Sequence, residues 1–468
     1  MMKKTVNLLL LFLPILILAQ SENALLTGIA RDAIVQHVTG VGQINREALI
    51  KANPYLREKG ATFVTLTKEA RLRGCIGSLN AFRPLVDDVI SNAQSAAFSD
   101  PRFMALKRQE LSALEVEVSL LSKPVLVTYD NIADLKSQIR AGEDGVVLEY
   151  ARHRATYLPQ VWEQLPHFKD FFTSLCEKAD LDANCLSLKP KIFRYEVKKF
   201  SEADLSTRPT PNAGLFYPKS CKAMQNDFQS FEKRALQEKK RDFKQVPRAI
   251  IVPHAGYIYS GYSASMVYRL AAKSEAKRVV IIGPSHYHSF KGVSVAEYEA
   301  FATPCGLLRN DLVYVEALKK RFGLKQLDAV FTKEHSTEVQ LPFINYYMPD
   351  KKVLELVYGE ISVKGLSKLL STLLRDRDNL VIMSSDLSHF YTQKEAQKRD
   401  FLCLEGVEKG DSRILQKGCE ACGYTGIEAL VRVSRKMGLK SRLIDYRTSA
   451  DASGDTQRVV GYMSAVFW

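Results

Sequence analysis

The chain has 468 residues, a formal net charge of +14, 46% hydrophobic residues and 25% charged residues. This length exceeds what one hydrophobic core usually serves, so we expect two or three folded domains of ordinary composition. The positive charge is spread along the sequence and does not by itself indicate an anionic partner. Because no RNP-like motif, helix-turn-helix signal or arginine-rich block is present, we predict no nucleic-acid partner.

Residues 1–20 have the pattern of an export signal. Two lysines precede an apolar stretch that has the length of a signal peptide and is short for a membrane span. Ala19 suits the last position before a cleavage site, although Ile17 is larger than the residue usually found two positions earlier. We predict a periplasmic or secreted protein that is cleaved near Ala19 or Gln20. The alternative is an uncleaved N-terminal membrane anchor.

The eight cysteines are scattered and lack the dense spacing of small disulfide-rich proteins. Cys419 and Cys422 have the separation of a metal or redox pair, but the sequence has no second pair of this kind. We interpret them as packing cysteines, and the alternative in an exported protein is a local disulfide between them.

Residues 21–200 are predicted to form the first domain. Helical patterns cover 24–40 and 159–165, and strand patterns cover 61–68, 114–121, 144–150 and 192–197. Gly74 and Gly77 bracket Cys75 and predict a tight turn in which a larger side chain would clash.

Several strings of this region resemble the AMMECR1 domain in their order and spacing. They are L-R-G-C-I-G-S, S-D-P-R-F, V-S-L-L-S-K-P, G-V-V-L-E-Y and Y-L-P-Q-V-W, of which the first is the most specific. The resemblance implies a compact α+β domain without a settled activity. Cys75 is a candidate nucleophile there, activated by a base or by Arg73. We favour the alternative, a turn cysteine packed under the sheet.

Residues 201–211 are polar, contain two prolines and are predicted to be a stiff linker before a second domain at 212–468. In that domain, short apolar runs of the kind found in buried parallel strands lead into His254, His286 and His389. Because ligands bind beyond the carboxyl ends of such strands, we expect these histidines to meet at one edge of a sheet.

Helical patterns at 262–276, 311–322 and 363–374 alternate with these strands. The alternation predicts an α/β domain with a mainly parallel, doubly wound sheet that is covered on both faces. Glycine-rich nucleotide-binding loops and the Gly-x-Ser-x-Gly turn are missing from the sequence. Their absence argues against nucleotide binding and against the usual serine-hydrolase layout.

The second domain resembles the MEMO family over about 212–468. The strings that carry the resemblance include A-G-L-F-Y-P, P-H-A-G-Y-I-Y-S-G, G-P-S-H, E-H-S-T-E-V-Q-L-P-F and S-S-D-L-S-H. That family is similar to the class III extradiol dioxygenases, which use non-haem iron. The resemblance therefore implies a divalent metal, which we expect to be iron(II).

The resemblance also assigns roles to individual residues. It implies that His254 and His286 bind the metal, that His389 and Asp386 lie beside open coordination positions, and that His335 and Glu338 line the same pocket. In the mechanism that follows, Asp386 orients His389 for proton transfer and Glu338 orients His335.

One ligand is left open by the resemblance. Animal members offer a cysteine near the chain end, and Ala452 stands at that place here. Asp451 or Asp455 would complete a set of two histidines and one carboxylate, which suits iron(II), and we predict Asp451. The alternative is a site that binds metal weakly or not at all.

We therefore predict a metal-dependent redox or oxygen-using enzyme that acts on an unknown small molecule or protein. The alternatives are a metal-dependent hydrolase and a non-catalytic binding protein that keeps the pocket. AMMECR1-like and MEMO-like proteins are associated with a radical-SAM protein as one bacterial system, AmmeMemoRadiSam. This association makes a radical-SAM protein a predicted partner.

Overall fold

The structure is a computed structural model that describes residues 21–40, 44–238 and 243–468. The predicted export signal at 1–20 lies outside the described residues. Within the described ranges, no helix is both long and apolar enough to cross a membrane.

The first domain combines an antiparallel sheet with surrounding helices. Its helices are α1 (Glu22–Thr39), α2 (Arg46–Ala52), α3 (Leu85–Phe98), α4 (Ile132–Gln138), α5 (Val161–Gln164) and α6 (Phe168–Lys178). Its strands are β1 (Lys59–Lys68), β2 (Arg71–Gly77), β3 (Arg83–Pro84), β4 (Leu114–Leu121), β5 (Val125–Val127), β6 (Asp144–Tyr150), β7 (His153–Tyr157) and β8 (Lys191–Ser201). The sheet order is β2-β1-β4-β8-β6-β7, which confirms the predicted α+β class.

Helices α1 and α3 cover one part of this sheet. Alternate residues of β1 and β4, including Val64 and Val118, face a core that contains Leu26 and Ile34 of α1 and Val89 of α3. The two-residue period of a strand directs these apolar side chains to one face. This packing explains the strand patterns that the sequence predicts at 61–68 and 114–121.

The prediction of a tight turn around Cys75 is wrong. The flanking glycines lie in β2, an edge strand paired with β1. A Cβ atom at Gly74 would lie 2.1 Å from the Ala96 carbonyl oxygen, and one at Gly77 would lie 2.3 Å from the Phe63 ring. The glycines are needed because the strand passes close to its neighbours.

The second domain surrounds a larger mixed sheet. Its strands, with the short β9 that precedes them, are β9 (Thr207–Arg208), β10 (Ala249–Val252), β11 (Arg278–Pro284), β12 (Val293–Val295), β13 (Ala300–Thr303), β14 (Gly306–Arg309), β15 (Lys352–Tyr358), β16 (Asn379–Ser384), β17 (His389–Tyr391), β18 (Ser441–Thr448) and β19 (Val459–Phe467). Its helices are α7 (Cys221–Gln237), α8 (Tyr257–Ala271), α9 (Leu312–Phe322), α10 (Asp328–Phe331), α11 (His335–Glu338), α12 (Leu341–Tyr347), α13 (Val363–Arg375), α14 (Gln393–Glu408), α15 (Ser412–Leu415), α16 (Tyr424–Lys436) and α17 (Ala450–Ser453).

The middle of this sheet is parallel. The strand order is β12-β15-β11-β16-β10-β19-β17, in which β15, β11, β16 and β10 run parallel and β12 and β19 add antiparallel partners. A small separate sheet has the order β14-β13-β9. The arrangement confirms the predicted α/β class, with a parallel centre in a sheet whose outer strands pair antiparallel.

Both faces of the parallel strands are buried. Along β11, Val280 and Ile282 enter one core while Val279 and Ile281 enter the other. Helix α13 covers the first face with leucines at the three- and four-residue spacing of an amphipathic helix: Leu366, Leu369, Leu370 and Leu373. Helix α8 covers the opposite face. This double burial explains why the strand runs contain almost only apolar residues.

The segment predicted as a linker, 201–211, is packed against both domains. Its β9 strand pairs with β13 in the second domain, and Arg208 is 1% exposed. Arg309 of the second domain reaches back to the first, donating hydrogen bonds to the Ala24 carbonyl oxygen at 2.7 Å and to Thr27 Oγ1 at 3.3 Å. The two domains are therefore in direct contact.

Six of the eight cysteines form disulfides in the structure, which pair Cys176 with Cys185, Cys221 with Cys305, and Cys403 with Cys419. Cys75 and Cys422 are free. Neither interpretation of Cys419 and Cys422 is correct, because Cys419 is bonded to Cys403 of α14 and Cys422 faces a histidine.

Candidate metal centre

Three histidines converge at one edge of the sheet, two of them from strand ends and His335 from helix α11. His254 follows β10 and His286 follows β11, and both strands pair in parallel with β16. The ring centroid of His254 lies 5.1 Å from that of His286 and 5.3 Å from that of His335, and the last two are 4.5 Å apart. The fold therefore gathers three imidazoles at one edge of the sheet.

The His254 ring is held by a serine. Ser384 Oγ donates a hydrogen bond to the Ser336 carbonyl oxygen, so it must accept one from His254 Nδ1, which lies 3.0 Å away. This contact places the proton on Nδ1 and leaves the Nε2 lone pair free. Burial, with a smaller contribution from His286, lowers the pKa of His254 well below its usual value. The imidazole is therefore neutral, as metal binding requires.

The His286 ring is held by a carboxylate. Its Nδ1 donates to Glu334 Oε1 at 2.8 Å, and its backbone N–H donates to Glu334 Oε2 at 2.6 Å. Burial favours the neutral acid, but the hydrogen bonds from His286 and the backbone N–H of Ser336 outweigh it and lower the pKa of Glu334 to about 2. A carboxylate that orients an imidazole in this way is a common support for metal-binding histidines.

Cys422 is the site residue that the sequence analysis missed. Its Sγ lies 3.2 Å from His254 Nε2 and accepts a hydrogen bond from the backbone N–H of Asp386 at 3.2 Å. Ligand atoms of His254, His286 and Cys422 all lie within 4.8 Å of one another. A Cβ atom at the following Gly423 would lie 2.6 Å from the Ser385 side chain, so the loop that carries Cys422 passes close to the end of β16.

The Cys422 thiol is protonated at neutral pH without a cation. Burial, followed by the nearby Asp386 carboxylate, raises its pKa to about 12. A metal ion would reverse this preference, because a coordinated thiol loses its proton.

His335 adds a second set of donors. Atoms of His286, Glu334 and His335 also lie within 4.8 Å of one another. Burial and the charges of the neighbouring histidines lower the pKa of His335 to about 4. Among the described residues, its buried Nδ1 has no hydrogen-bond partner, and Glu334 Oε1 lies 3.6 Å from it.

Asp386 and His389 lie near this group in a different arrangement from the predicted one. Asp386 Oδ1 accepts from the His254 backbone N–H at 2.7 Å, and burial raises the pKa of the Asp386 carboxyl. His389, half-buried on β17, is close enough to influence both residues electrostatically. Within the described chain no hydrogen bond joins Asp386 to His389, so Asp386 holds the His254 loop instead of orienting His389.

Glu338 does not orient His335 as predicted. Its buried carboxylate accepts hydrogen bonds from Arg208, the Asn212 side chain and Tyr217. Glu334, the N-cap of α11, supports the site in its place: its carboxylate accepts from His286, whereas Arg208 holds the Glu338 carboxylate.

Asp451 also differs from the prediction. It is exposed on α17, and its Oδ2 accepts from the backbone N–H of Thr448 at 2.8 Å. It belongs to neither group of converging donors among the described residues. The nearby Asp455 accepts from the Gln457 backbone N–H. Cys422 takes the position for which a carboxylate was predicted.

The donors present fit a first-row divalent metal ion. The contacts that hold the His254 and His286 rings use Nδ1 of each, and the Cys422 thiol stands within reach of both imidazoles. Imidazole and thiolate together are suitable ligands for zinc, copper and iron. Three protein ligands leave coordination positions for another molecule.

Comparisons with known proteins agree with the two-domain organisation. The model of the Memo-like protein family matches residues 208–466, and that of the AMMECR1 family matches residues 27–200. A MEMO1 family protein of Methanobrevibacter smithii is 36% identical over an alignment of 234 residues that covers 47% of this chain and 83% of that protein. A MEMO1 family protein of Aquifex aeolicus is 32% identical over an alignment of 265 residues that covers 54% of this chain and 97% of that protein.

A crystal structure of an uncharacterized protein from Pyrococcus horikoshii is 32% identical and covers 38% of this chain and 91% of that chain, with a TM-score of 0.34. That score is too low to support a structural argument. The matches to the two family models and to the relatives show the family: the chain belongs to the Memo-like protein family and carries an AMMECR1 domain ahead of its Memo-like domain.

Proposed function

We propose that the Memo-like domain binds one divalent transition-metal ion through His254, His286 and Cys422 and performs metal-dependent redox chemistry. The observation that carries the proposal is the convergence of three ligand atoms within 4.8 Å. Nδ1 of each imidazole is already hydrogen-bonded, so Nε2 of each is the atom left for a ligand. A packing role alone does not require this orientation.

We propose iron(II) as the ion, and when bound it would supply redox chemistry and open coordination positions. The chain's own residues have separate tasks. Glu334 and Ser384 hold the two imidazoles, and the His335 ring, 4.5 Å from that of His286, would contact a bound molecule. His389, half-buried on β17, would hold or move a proton.

A metal-dependent hydrolase is the second candidate. A Cys422 thiolate favours the hydrolase, since two imidazoles and a thiolate with one open position also form a catalytic zinc site. A binding protein that keeps the pocket without catalysis is the third.

The first experiment is metal analysis of the full chain purified without added metal. We expect about one ion per chain, and loss of that ion in His254→Ala, His286→Ala and Cys422→Ser. Cys75→Ser is the matched control because it removes the other free cysteine. Iron with oxygen uptake supports the redox proposal, and zinc with ester or amide cleavage supports the hydrolase. Variants that retain their metal, or a wild-type chain that takes up none, would contradict the metal site.

We also propose that the protein is exported, with a membrane anchor as the alternative. The three disulfides support export because such bonds persist in oxidising compartments. Cell fractionation of the full chain and of a variant lacking residues 1–20 tests this. A radical-SAM protein is the partner that we propose from family association, and co-purification after co-expression tests it.

A further inference from the structure

A cavity of about 800 Å³ lies in the AMMECR1 domain, outside the metal centre. Helices α4, α5 and α6 form its sides, with Ile132, Trp162 and Phe172 among the lining residues. A volume of this size lies within the range that small-molecule sites occupy. The domain therefore contains a candidate binding site of its own.

The floor of the cavity is apolar and rigid. The Trp162 side chain is buried and stacks on Phe171 with ring centroids 3.6 Å apart and planes 3° from parallel. Its Nε1–H donates to the Asp144 carbonyl oxygen at 2.9 Å, so the polar edge of the indole is already satisfied. The face that lines the cavity offers apolar contact to a ligand.

The rim of the cavity is cationic. Lys136, Lys169 and His167 line it, and the lining residues include no Asp or Glu. In the described part of the chain neither ammonium forms an ion pair with a carboxylate. An apolar floor under an unneutralised positive rim is complementary to a molecule with an apolar body and a negative end.

A disulfide fixes one wall. Cys176 of α6 is bonded to Cys185, and the segment around Cys185 contributes Ala183 and Leu186 to the lining. The cross-link holds this segment against α6, so little ordering is required when a ligand enters.

We propose that this cavity binds a small amphipathic carboxylate, an apolar chain or ring that carries one negative group. The apolar body lies against Trp162 and Phe172, and the carboxylate is held by Lys136 and Lys169. The AMMECR1 domain then has a ligand that does not depend on the metal of the Memo-like domain.

Intrinsic fluorescence gives a direct test. The chain has two tryptophans, and Trp468 packs against Phe243 in the other domain, so the full-length Trp468→Phe variant reports Trp162 alone. Titration with dodecanoate, below its micelle concentration, is expected to change the emission saturably. Dodecyltrimethylammonium, which has the same chain and the opposite charge, is expected to leave it unchanged. Calorimetry on the unmodified chain repeats both titrations without any substitution.

Separate variants then remove the positive charge of the rim and reduce the space inside the cavity. Lys136→Gln with Lys169→Gln is expected to weaken dodecanoate binding about tenfold, whereas Lys51→Gln, on exposed α2, leaves it unchanged. Ala183→Phe narrows the cavity and is expected to weaken binding. Equal binding of the cationic probe, equal affinity in the double lysine variant and Lys51→Gln, or no saturable binding at all would overturn the proposal.

Discussion

Arg208 and Glu338 form an ion pair of 2.8 Å in which both side chains are fully buried. Arg208 also binds Glu355 at 2.9 Å and donates to the Glu334 carbonyl oxygen at 2.8 Å. The segment between the two domains is thereby attached to the residue that orients His286. Linker and metal centre are parts of one buried network.

We predict that Arg208→Met destabilises the protein by about 3–5 kcal/mol, because it leaves two buried carboxylates without their cation. Chemical denaturation measures the change. Arg413→Met is the control, since its pair with Asp411 is 74% exposed on the arginine side and its loss should cost about 1 kcal/mol or less. Equal effects of the two substitutions would contradict the role of the network.

Glu334→Gln should weaken metal binding about 10- to 100-fold, because the carboxylate that holds the His286 ring loses its charge and one acceptor oxygen. Competition with a chelator of known affinity measures this directly. Glu360→Gln, an exposed change in the same domain, should leave the affinity unchanged. An unaltered affinity in Glu334→Gln would show that His286 does not need this support.

The identity of the third ligand can be tested by substituting the two candidates, Cys422 and Asp451, one at a time. Cys422→Ser should lower metal occupancy at least about tenfold, since serine is a poor substitute for thiolate. Asp451→Asn should leave occupancy as in the unsubstituted chain, because Asp451 binds the Thr448 backbone. The opposite result would restore the carboxylate ligand that the sequence analysis predicted.

Cys422 should resist alkylation in the metal-free folded protein. Its raised pKa keeps it in the thiol form below pH about 12, and the thiolate is the reactive species. We expect iodoacetamide at pH 8 to modify Cys422 slowly in the folded protein and rapidly after denaturation, as followed by mass spectrometry of the Cys75→Ser variant. Rapid labelling of the folded, metal-free chain would contradict this environment.

Arg309→Met should loosen the contact between the domains. The side chain is buried and donates to Ala24 and Thr27 of α1, and unsatisfied partners cost about 1–3 kcal/mol each. Faster hydrogen exchange in α1 is the expected result. Lys352→Met is the matched control at the same contact, because its pair with Asp32 is part-exposed and contributes about 1 kcal/mol or less.

Much of the fold was predictable because the signals are local. The runs before His254 and His286 are short and wholly apolar, as strands buried on two faces require, and parallel pairing then brings both histidines to one edge. The strands of the AMMECR1 region were equally predictable, apart from the segment around Gly74 and Gly77. Close contacts with Ala96 and Phe63 require these glycines, but in a sequence they look the same as the glycines of a turn.

The remaining site residues depended on long-range packing. Cys422 precedes α16 and follows no strand. A search for ligands at the carboxyl ends of strands therefore does not identify it. Glu334 precedes His335 by one residue and Glu338 follows it by three, and the sequence does not show that the buried Arg208 holds Glu338. The disulfide between Cys403 and Cys419 was also missed, because it joins α14 to a loop 16 residues further along the chain.

Strand β19 pairs with β10, the strand that leads to His254, and also with β17 and β18. His254 therefore follows a strand whose second neighbour is supplied by residues 465–467. Pairings between segments so far apart in the sequence are slow to form. We therefore expect the candidate ligands to converge only in the completed sheet, and metal to bind the folded domain.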